Sequence, residues 1–412
     1  MNIVTACGLP FTATSGLELV ERKGAGHPDT LTDGVAEAIS RAYSRYCLER
    51  FGAILHHNTD KTALLGGAAE VRFGYGQMTA PISVLVNGRM TNRLGEQTIP
   101  VDDIIRNATY DFLSGALPLL DVENWVRIQP RLSLASSPGA VQGPTSDQQA
   151  GRQFWFAPRN LEDLAERHRM FSNDTSAGVG YAPLGVAERL ACEVESHLTG
   201  EVFRAAHPYY GTDIKLMVTR CDEQVNITAC VPQIACHTPD LDTYIARRVQ
   251  ARNLIAETAE QIAPDHRITV AINTRDNDAR QELYLTATGS SIESGDEGVV
   301  GRGNRSNGLI SMFRPMSMEG VSGKNPVYHV GKLYNLAANE AAQQLYEMTG
   351  RATAVALVSQ AGRDLNDPWQ VLVQQSGTEQ VDEVLAGHVV AEVMNNLDEL
   401  RAALLTGKLV TA

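Results

Sequence analysis

Two periodicities alternate along this chain, and the order in which they alternate constrains the fold more than any other feature. Leu31, Val35, Ala38, Ile39, Ala42 and Tyr46 recur at three- and four-residue spacing. That spacing predicts an amphipathic helix over 30–50, which Gly52 ends. Short apolar runs follow at 53–57, 62–69 and 82–87, separated by glycines and read as strands. A second helix, capped by Asp102 and Asp103, carries Ile104, Ile105, Ala108 and Phe112. The alternation continues with a helix over 186–199 and a strand pair, 216–219 and 224–231, turning at Asp222-Glu223. A helix over 241–262 and strands over 268–273 and 282–288 come next. The last third predicts a helix over 332–348, strands over 354–360 and 370–375, and a helix over 381–405. Groups of strands followed by helices predict α+β units whose sheets are covered on one face.

The segment 128–160 breaks the pattern. Pro130, Ser133, Ser136, Ser137, Pro138, Gly139, Gly143, Pro144, Ser146 and a run of glutamines predict a long mobile loop. Loops of that length in compact domains are functional or disordered.

Composition narrows the function. The chain has 412 residues, a net charge of −13, 43% hydrophobic and 20% charged side chains. This is globular composition, with material for two or three units. A nucleic-acid binder shows a basic surplus. Here an anion site must be a local basic pocket in an acidic chain, which favours a small anionic ligand over nucleic acid or an anionic membrane. Cys7, Cys47, Cys192, Cys221, Cys230 and Cys236 form no CxxC pair, and Cys236-His237 is read as incidental, because zinc needs about four converging ligands. With no signal segment and no run of ~20 apolar residues, the expected location is the cytoplasm, with free thiols.

Four polar motifs carry chemistry. Gly24-Ala25-Gly26-His27-Pro28-Asp29 precedes the first helix, whose N-terminus suits an anion. There His27 would face a phosphate oxygen, and Asp29 is either a Mg²⁺ ligand or a plain helix cap. Ser172-Asn173-Asp174-Thr175-Ser176 leads into Gly178-Val179-Gly180. It reads as a metal or substrate-amine contact, or as an Asx turn. Asp213 and Lys215 in Gly211-Thr212-Asp213-Ile214-Lys215 share a face if this is a strand. Finally Gly295-Asp296-Glu297-Gly298, Gly301-Arg302-Gly303-Asn304-Arg305, Ser322-Gly323-Lys324-Asn325, His329 and Lys332 bracket acids and bases with glycines. A site that holds phosphates with Arg and Lys while keeping Mg²⁺ with Asp or Glu has this inventory. It is not a Walker A motif, because no GxxxxGK[ST] occurs.

Together GHPD at 26–29, HHNTDK at 56–61, NDTS and GVGYAPL within 173–184, GDEGVVGRGNR at 295–305 and RPMSMEGVSGKNPVYHVGKLYN at 314–335 resemble the archaeal-type methionine adenosyltransferases, the S-adenosylmethionine synthetases. The motifs run in the same order over nearly the whole chain. The resemblance implies an α+β fold of three similarly built domains in a pseudo-threefold arrangement. Expected boundaries are 1–127, a gating loop and insertion at 128–172, then 173–265 and 266–412. It also implies a homodimer, or a dimer of dimers, with active sites between subunits, and the reaction of ATP with L-methionine to S-adenosylmethionine, diphosphate and phosphate. Mg²⁺ is the expected metal and K⁺ a candidate second cation. Carried over residue by residue, His27, Lys215, Arg302 and Lys324 are catalytic. ATP and its phosphates would be bound by His27, Asp213, Lys215, Arg302, Arg305, Lys324, His329 and Lys332. Asp174, Asp296 and Ala177 would serve methionine, and Asp29 and Asp296 the metal, with Asp60-Lys61 a further match.

The sequence departs from the family on one side. The gating segment reads Arg127-Ile128-Gln129-Pro130-Arg131-Leu132-Ser133-Leu134 in place of Gly-Gln-Gly-Ser. Ala177 stands where relatives have phenylalanine, and Tyr328 where they have asparagine. Loss of a ring at 177 opens space on the sulfur-substrate side. Two alternatives therefore stand beside the methionine enzyme: a paralogue using the same ATP site on a different thioether, and a non-catalytic nucleotide-binding subunit.

Overall fold

The computed structural model describes residues 1–8, 15–135, 154–167 and 169–409. Its helices, in chain order, are α1 (Pro28–Phe51), α2 (Val101–Ala116), α3 (Val122–Trp125), α4 (Val186–Thr199), α5 (Glu201–Ala206), α6 (Leu241–Ile262), α7 (Val330–Thr349), α8 (Glu383–Asn395) and α9 (Leu397–Thr406). The fold is α+β: three main sheets, each with helices packed against it, repeat one plan.

In the first sheet Ile82–Met90 lies between Val126–Ser133 and Ala63–Leu65, with Gly298–Val299 on the outer edge. Ile82, Val84 and Val86 alternate inward. They meet Leu31, Val35, Ile39, Tyr43 and Cys47, the buried stripe of α1, with Ile105 and Leu113 of α2 beside them. Burial of each such side chain is worth roughly 1.5–3 kcal/mol. The second sheet, in the order Arg267–Ile272, Gln224–Cys230, Lys215–Cys221, Leu17–Lys23 and Ile310–Ser311, packs on α4 and α6 through Val20, Leu216, Val218, Leu190, Val194 and Ile255. The third joins Asn2–Cys7, Gln370–Gln375, Thr353–Val358 and Ala177–Ala182 under α7 and α8. Each core unites segments distant in sequence, and α1 carries the strand Gly298–Val299 across its first turn.

Several local expectations change. The first part of the expected loop is a strand, Val126–Ser133, parallel to Ile82–Met90. Pro130 is tolerated because this strand is the sheet edge, where a missing N–H breaks no ladder. The serines, glycines and glutamines from 136 to 153 lie outside the described residues. The run 62–69 divides at Gly66-Gly67 into Ala63–Leu65 and Ala68–Arg72. Only Leu285–Thr286 of the run 282–288 is strand. The last helix is two, α8 and α9, meeting at Asn396. Asp102 and Asp103 sit inside the first turn of α2, with Pro100 at the cap. Two strands without clean apolar alternation, Asn2–Cys7 and Leu17–Lys23, escape the sequence reading, although the latter is inside a sheet.

Candidate active site

Three of the four charged motifs converge on the N-terminus of α1. Gly24 N–H donates to the Ile214 carbonyl (2.6 Å) and Gly26 N–H to that of Thr212 (2.9 Å), so the first glycine loop lies along Gly211–Lys215. Ser290 Oγ donates to the Gly26 carbonyl (2.6 Å) and brings in the segment that leads to Asp296. A side chain at Gly298 would collide with the Pro28 carbonyl, so glycine is required where this strand crosses the helix start.

His27 is the N-cap of α1, followed by Pro28 at the first helical position. Its Nδ1 accepts the Asp29 N–H (3.1 Å), which assigns the ring proton to Nε2. Burial holds the imidazole below its ordinary pKa against the opposing pull of Asp213, so the ring is neutral at pH 7 and offers one N–H. Burial likewise pushes Asp213 up, opposed by His27 and by the donors on Ser291. Ser291 N–H and Oγ reach Asp213 Oδ2 at 2.8 and 2.5 Å, and the same Oγ is 3.1 Å from Asp296 Oδ2. The one hydroxyl proton thus serves one carboxylate at a time. Lys215 extends toward solvent with Glu21 at 3.1 Å. Lys23, missed in the sequence, donates to Asp29 Oδ2 (2.8 Å) and to the Arg302 carbonyl (2.7 Å). Asn304 clamps the Lys23 backbone from both sides, at 3.0 and 2.8 Å. Arg302 itself is exposed.

A second set lines a separate cleft of about 1080 Å³. Lys324, almost fully buried, is 2.7 Å from Asp60 and 2.9 Å from Glu319. Ser176 Oγ donates to Glu319 (2.6 Å). Burial works against ionisation of both acids, yet Lys324 for Asp60, and Ser176 with Lys324 for Glu319, hold them below the usual carboxylate range. His329 repeats the device of His27: it caps α7, its Nδ1 accepts Gly331 N–H (3.3 Å), and burial drives its pKa down to about 3. Asp174, Ala177 and Lys61 line the same cleft. Asp174 is exposed, its Oδ1 taking the Thr175 N–H (2.7 Å). Val179, Met316, Met318, Trp155, Phe156 and Tyr328 give the cleft an apolar side. One departure from the family is anchored there: Tyr328 Oη lies 2.8 Å from His56 Nδ1, and His56 stacks on Trp155 (5.6 Å, 3°) and lies 3.0 Å from Glu166.

Among the described residues, none of His27, Asp29, Asp213, Lys215, Asp296 and Arg302 lines this cleft. Asp296 therefore stands with Asp213 rather than beside Asp174 and Ala177. Two expected phosphate ligands also lie elsewhere within this chain. Arg305 turns inward and donates to the Gly301, Gly303 and Ser317 carbonyls. Lys332 is fully buried and held by both oxygens of Glu37 (2.8 and 2.6 Å).

Three carboxylates organise these loops, and of them only Asp29 is singled out by the sequence; Asp33 and Glu37 are not. Asp29, Asp33 and Glu37 lie one turn apart on α1 and accept, in order, from Val299 N–H (3.0 Å), Gly301 N–H (3.0 Å) and Gly323 N–H (3.0 Å). Their spacing in the sequence is the one available signal, since polar residues at i, i+4 and i+8 on a helix share a face. Asp33 Oδ2 is buried without a partner among the described residues, and burial pushes its pKa up to about 7.

The profile of the S-adenosylmethionine synthetase (AdoMet synthetase) family matches residues 3–140 and 154–408. The chain is 41% identical over 377 residues to the S-adenosylmethionine synthase of Aeropyrum pernix, covering 89% of this chain and 87% of that one. Identity to the enzyme of the same name from Saccharolobus solfataricus is 38% over 407 residues, covering 95% of each. In fold the chain is similar to an unusual S-adenosylmethionine synthetase from Campylobacter jejuni, with a TM-score of 0.61 at 16% identity, covering 95% of this chain and 93% of that one.

Proposed function

The chain belongs to the S-adenosylmethionine synthetase family and is a methionine adenosyltransferase, and from that premise we propose how its two residue sets divide the reaction. The methionine sulfur attacks the ribose 5′ carbon of ATP in line. The S–C5′ bond forms, the C5′–O5′ bond breaks, and its electron pair leaves with the triphosphate. A thioether is nucleophilic when neutral, so no general base is needed. The barrier lies in stabilising the departing charge and in alignment.

The observation that carries this reading is the neutral His27 cap. With Nδ1 occupied by the helix, Nε2–H is the one proton the ring offers, and it serves the bridging oxygen that leaves. Lys215, half-exposed, and Arg302, exposed, are the cations that meet the triphosphate. Lys324, preorganised between Asp60 and Glu319, supplies a buried charge. Arg305 and Lys332 position the loops that carry Arg302 and Lys324.

The residues fit Mg²⁺ held mainly by substrate. Asp29 spends one lone pair of each oxygen on Val299 N–H and Lys23, which leaves a second lone pair on each. Among the described residues no three His, Cys, Asp or Glu gather as a cage. One or two carboxylates plus phosphate oxygens suffice for this ion. Asp29, with Asp296 nearby in the same group, would hold it, and it would neutralise phosphate charge.

Because the His27 set and the cleft are separate within one chain, the reaction centre is completed between two copies, His27 of one facing the cleft of its partner. Mixing His27→Ala and Lys324→Ala chains after co-refolding tests this. Each variant alone is inactive by mass-spectrometric detection of S-adenosylmethionine and diphosphate, and the mixture recovers about a quarter of wild-type activity, as random C2 pairing requires. A mixture as inactive as its components overturns the shared site.

The Ala177 opening favours one second reading, acceptance of thioethers bulkier than methionine, because the apolar cleft side is spacious where relatives carry a ring.

A further inference from the structure

A second cavity, of about 670 Å³, lies on another side of α1, between α1, α2, α4 and α5. Its lining combines the small residues Gly34, Ala38, Gly115 and Ala116, with the Phe112 ring packed on Gly34, and the basic residues Arg22, Lys23, Arg41 and Arg204. The carboxylates on the wall are already engaged. Glu195 takes Arg22 (2.8 Å), and Glu37 takes Lys332 (2.6 Å). Asp111, at the exposed rim, makes no ion pair among the described residues.

Arg41 and Arg204 are different. Neither has an acid within 4 Å among the described residues, and the Nε–H of each is buried without a hydrogen-bond acceptor. Arg41 lies against Gly407 at the end of α9, but the Ala403 and Leu404 carbonyls there are taken by the N–H groups of Gly407, Lys408 and Leu409. It also stands close enough to Lys332 to disfavour that ammonium. The Nε atoms themselves are closed off from the cavity, and what the two arginines bring to its wall is positive charge with no acid partner. Two such guanidiniums on one cavity of a chain with net charge −13 favour an anion there.

We propose that this cavity binds a phosphate group, free or carried on a small metabolite, gripped by the Arg41 and Arg204 guanidiniums. Paired guanidiniums match a tetrahedral dianion in charge and in planar donor geometry. The volume beyond one phosphate admits the body of a small organophosphate. The site sits behind the His27 loop: Ala25 and Thr212 line it, and Ala25 N–H is held by Glu195 (3.3 Å), the carboxylate that pairs Arg22. Its occupant is thus placed to act on the catalytic loop from the rear.

The test uses the full chain and an Arg41→Gln/Arg204→Gln variant, with inorganic phosphate in one arm and ribose 5-phosphate in the other, against sodium chloride at matched ionic strength. In phosphate-free buffer the variant is at least as thermostable as wild type and within twofold in activity, because buried unpaired donors have gone. Phosphate raises the wild-type Tm and binds at least tenfold more weakly to the variant by calorimetry. Tenfold tighter binding of ribose 5-phosphate identifies an organophosphate as the occupant; equal affinity identifies the free ion. A tungstate soak of wild-type crystals places density between the two guanidiniums. A variant that loses stability without phosphate shows that the arginines are structural and overturns the proposal. So does a variant that keeps the wild-type phosphate response, or a cavity empty of tungstate.

Discussion

Replacing Glu37 with glutamine tests whether α1 holds the Gly323–Lys324 loop through a buried charge pair. Lys332 is wholly inaccessible, and both Glu37 oxygens contact its ammonium at 2.8 and 2.6 Å. Glu37 Oε2 also accepts the Gly323 N–H at 3.0 Å. Glu37→Gln retains an acceptor for that amide but strands the ammonium, and losing one partner of a buried pair costs roughly 3–5 kcal/mol. Adding Lys332→Met removes the stranded charge with a side chain of similar length. The double variant therefore recovers to within ~1 kcal/mol of wild type, because an apolar replacement of a buried pair is often neutral. Thermal unfolding of the four proteins at one concentration and pH 7 closes the double-mutant cycle. A single variant within ~1 kcal/mol of wild type, or a double variant no more stable than Glu37→Gln, refutes the argument.

Lys324→Ala lowers kcat at least ~100-fold in the methionine assay, the scale of losing one preorganised charge contact, and a near-wild-type kcat removes Lys324 from the reaction centre. Asp33, with a pKa raised to about 7 by burial, makes stability fall as pH rises. The folded state binds the proton more tightly than the unfolded chain, so this contribution is complete below pH ~4 and lost through pH ~7. Asp33→Asn flattens the decline of Tm between pH 5 and 8, and parallel wild-type and variant profiles count against a protonatable Asp33. Ala177→Phe narrows the preference among S-alkyl homocysteines toward methionine by roughly tenfold in relative kcat/KM, the range one pocket group commands. Identical preference profiles exclude Ala177 from substrate selection.

How far the sequence disclosed this molecule depended on whether a residue's task is local. The buried stripe of α1 and its Gly52 stop follow from spacing and one left-handed glycine, φ 69°, and were legible. So were the charged glycine motifs, because residues that meet a ligand through a loop are close together in the chain. The strand Leu17–Lys23 was not: Glu18 and Arg22 face the helices with Val20, and their charges break the apolar alternation. That face is polar because Glu18 pairs Arg220 and Arg22 pairs Glu195, contacts some two hundred residues away that no local pattern contains. Arg305 and Lys332 share the motif chemistry of Arg302 and Lys324, and only the backbone carbonyls around the one and Glu37 beside the other reveal that they face inward.

The same distinction explains why one helix governs both glycine loops. A loop that binds triphosphate needs glycines for close approach and free N–H groups for the ligand, and so cannot rigidify itself. Here the rigidity is supplied by α1. Its carboxylates at 29, 33 and 37 take the N–H groups of residues 299, 301 and 323. Asp29 and Asp33 are four residues apart, about 6 Å of helix rise, and they take the N–H groups of Val299, the last residue of its strand, and Gly301, in the turn that follows. The third must reach a different loop, and it is the one that also carries a buried lysine. An α1 shifted by one residue would lose all three contacts together, which ties the position of His27 at its cap to the position of Lys324 beyond its third turn.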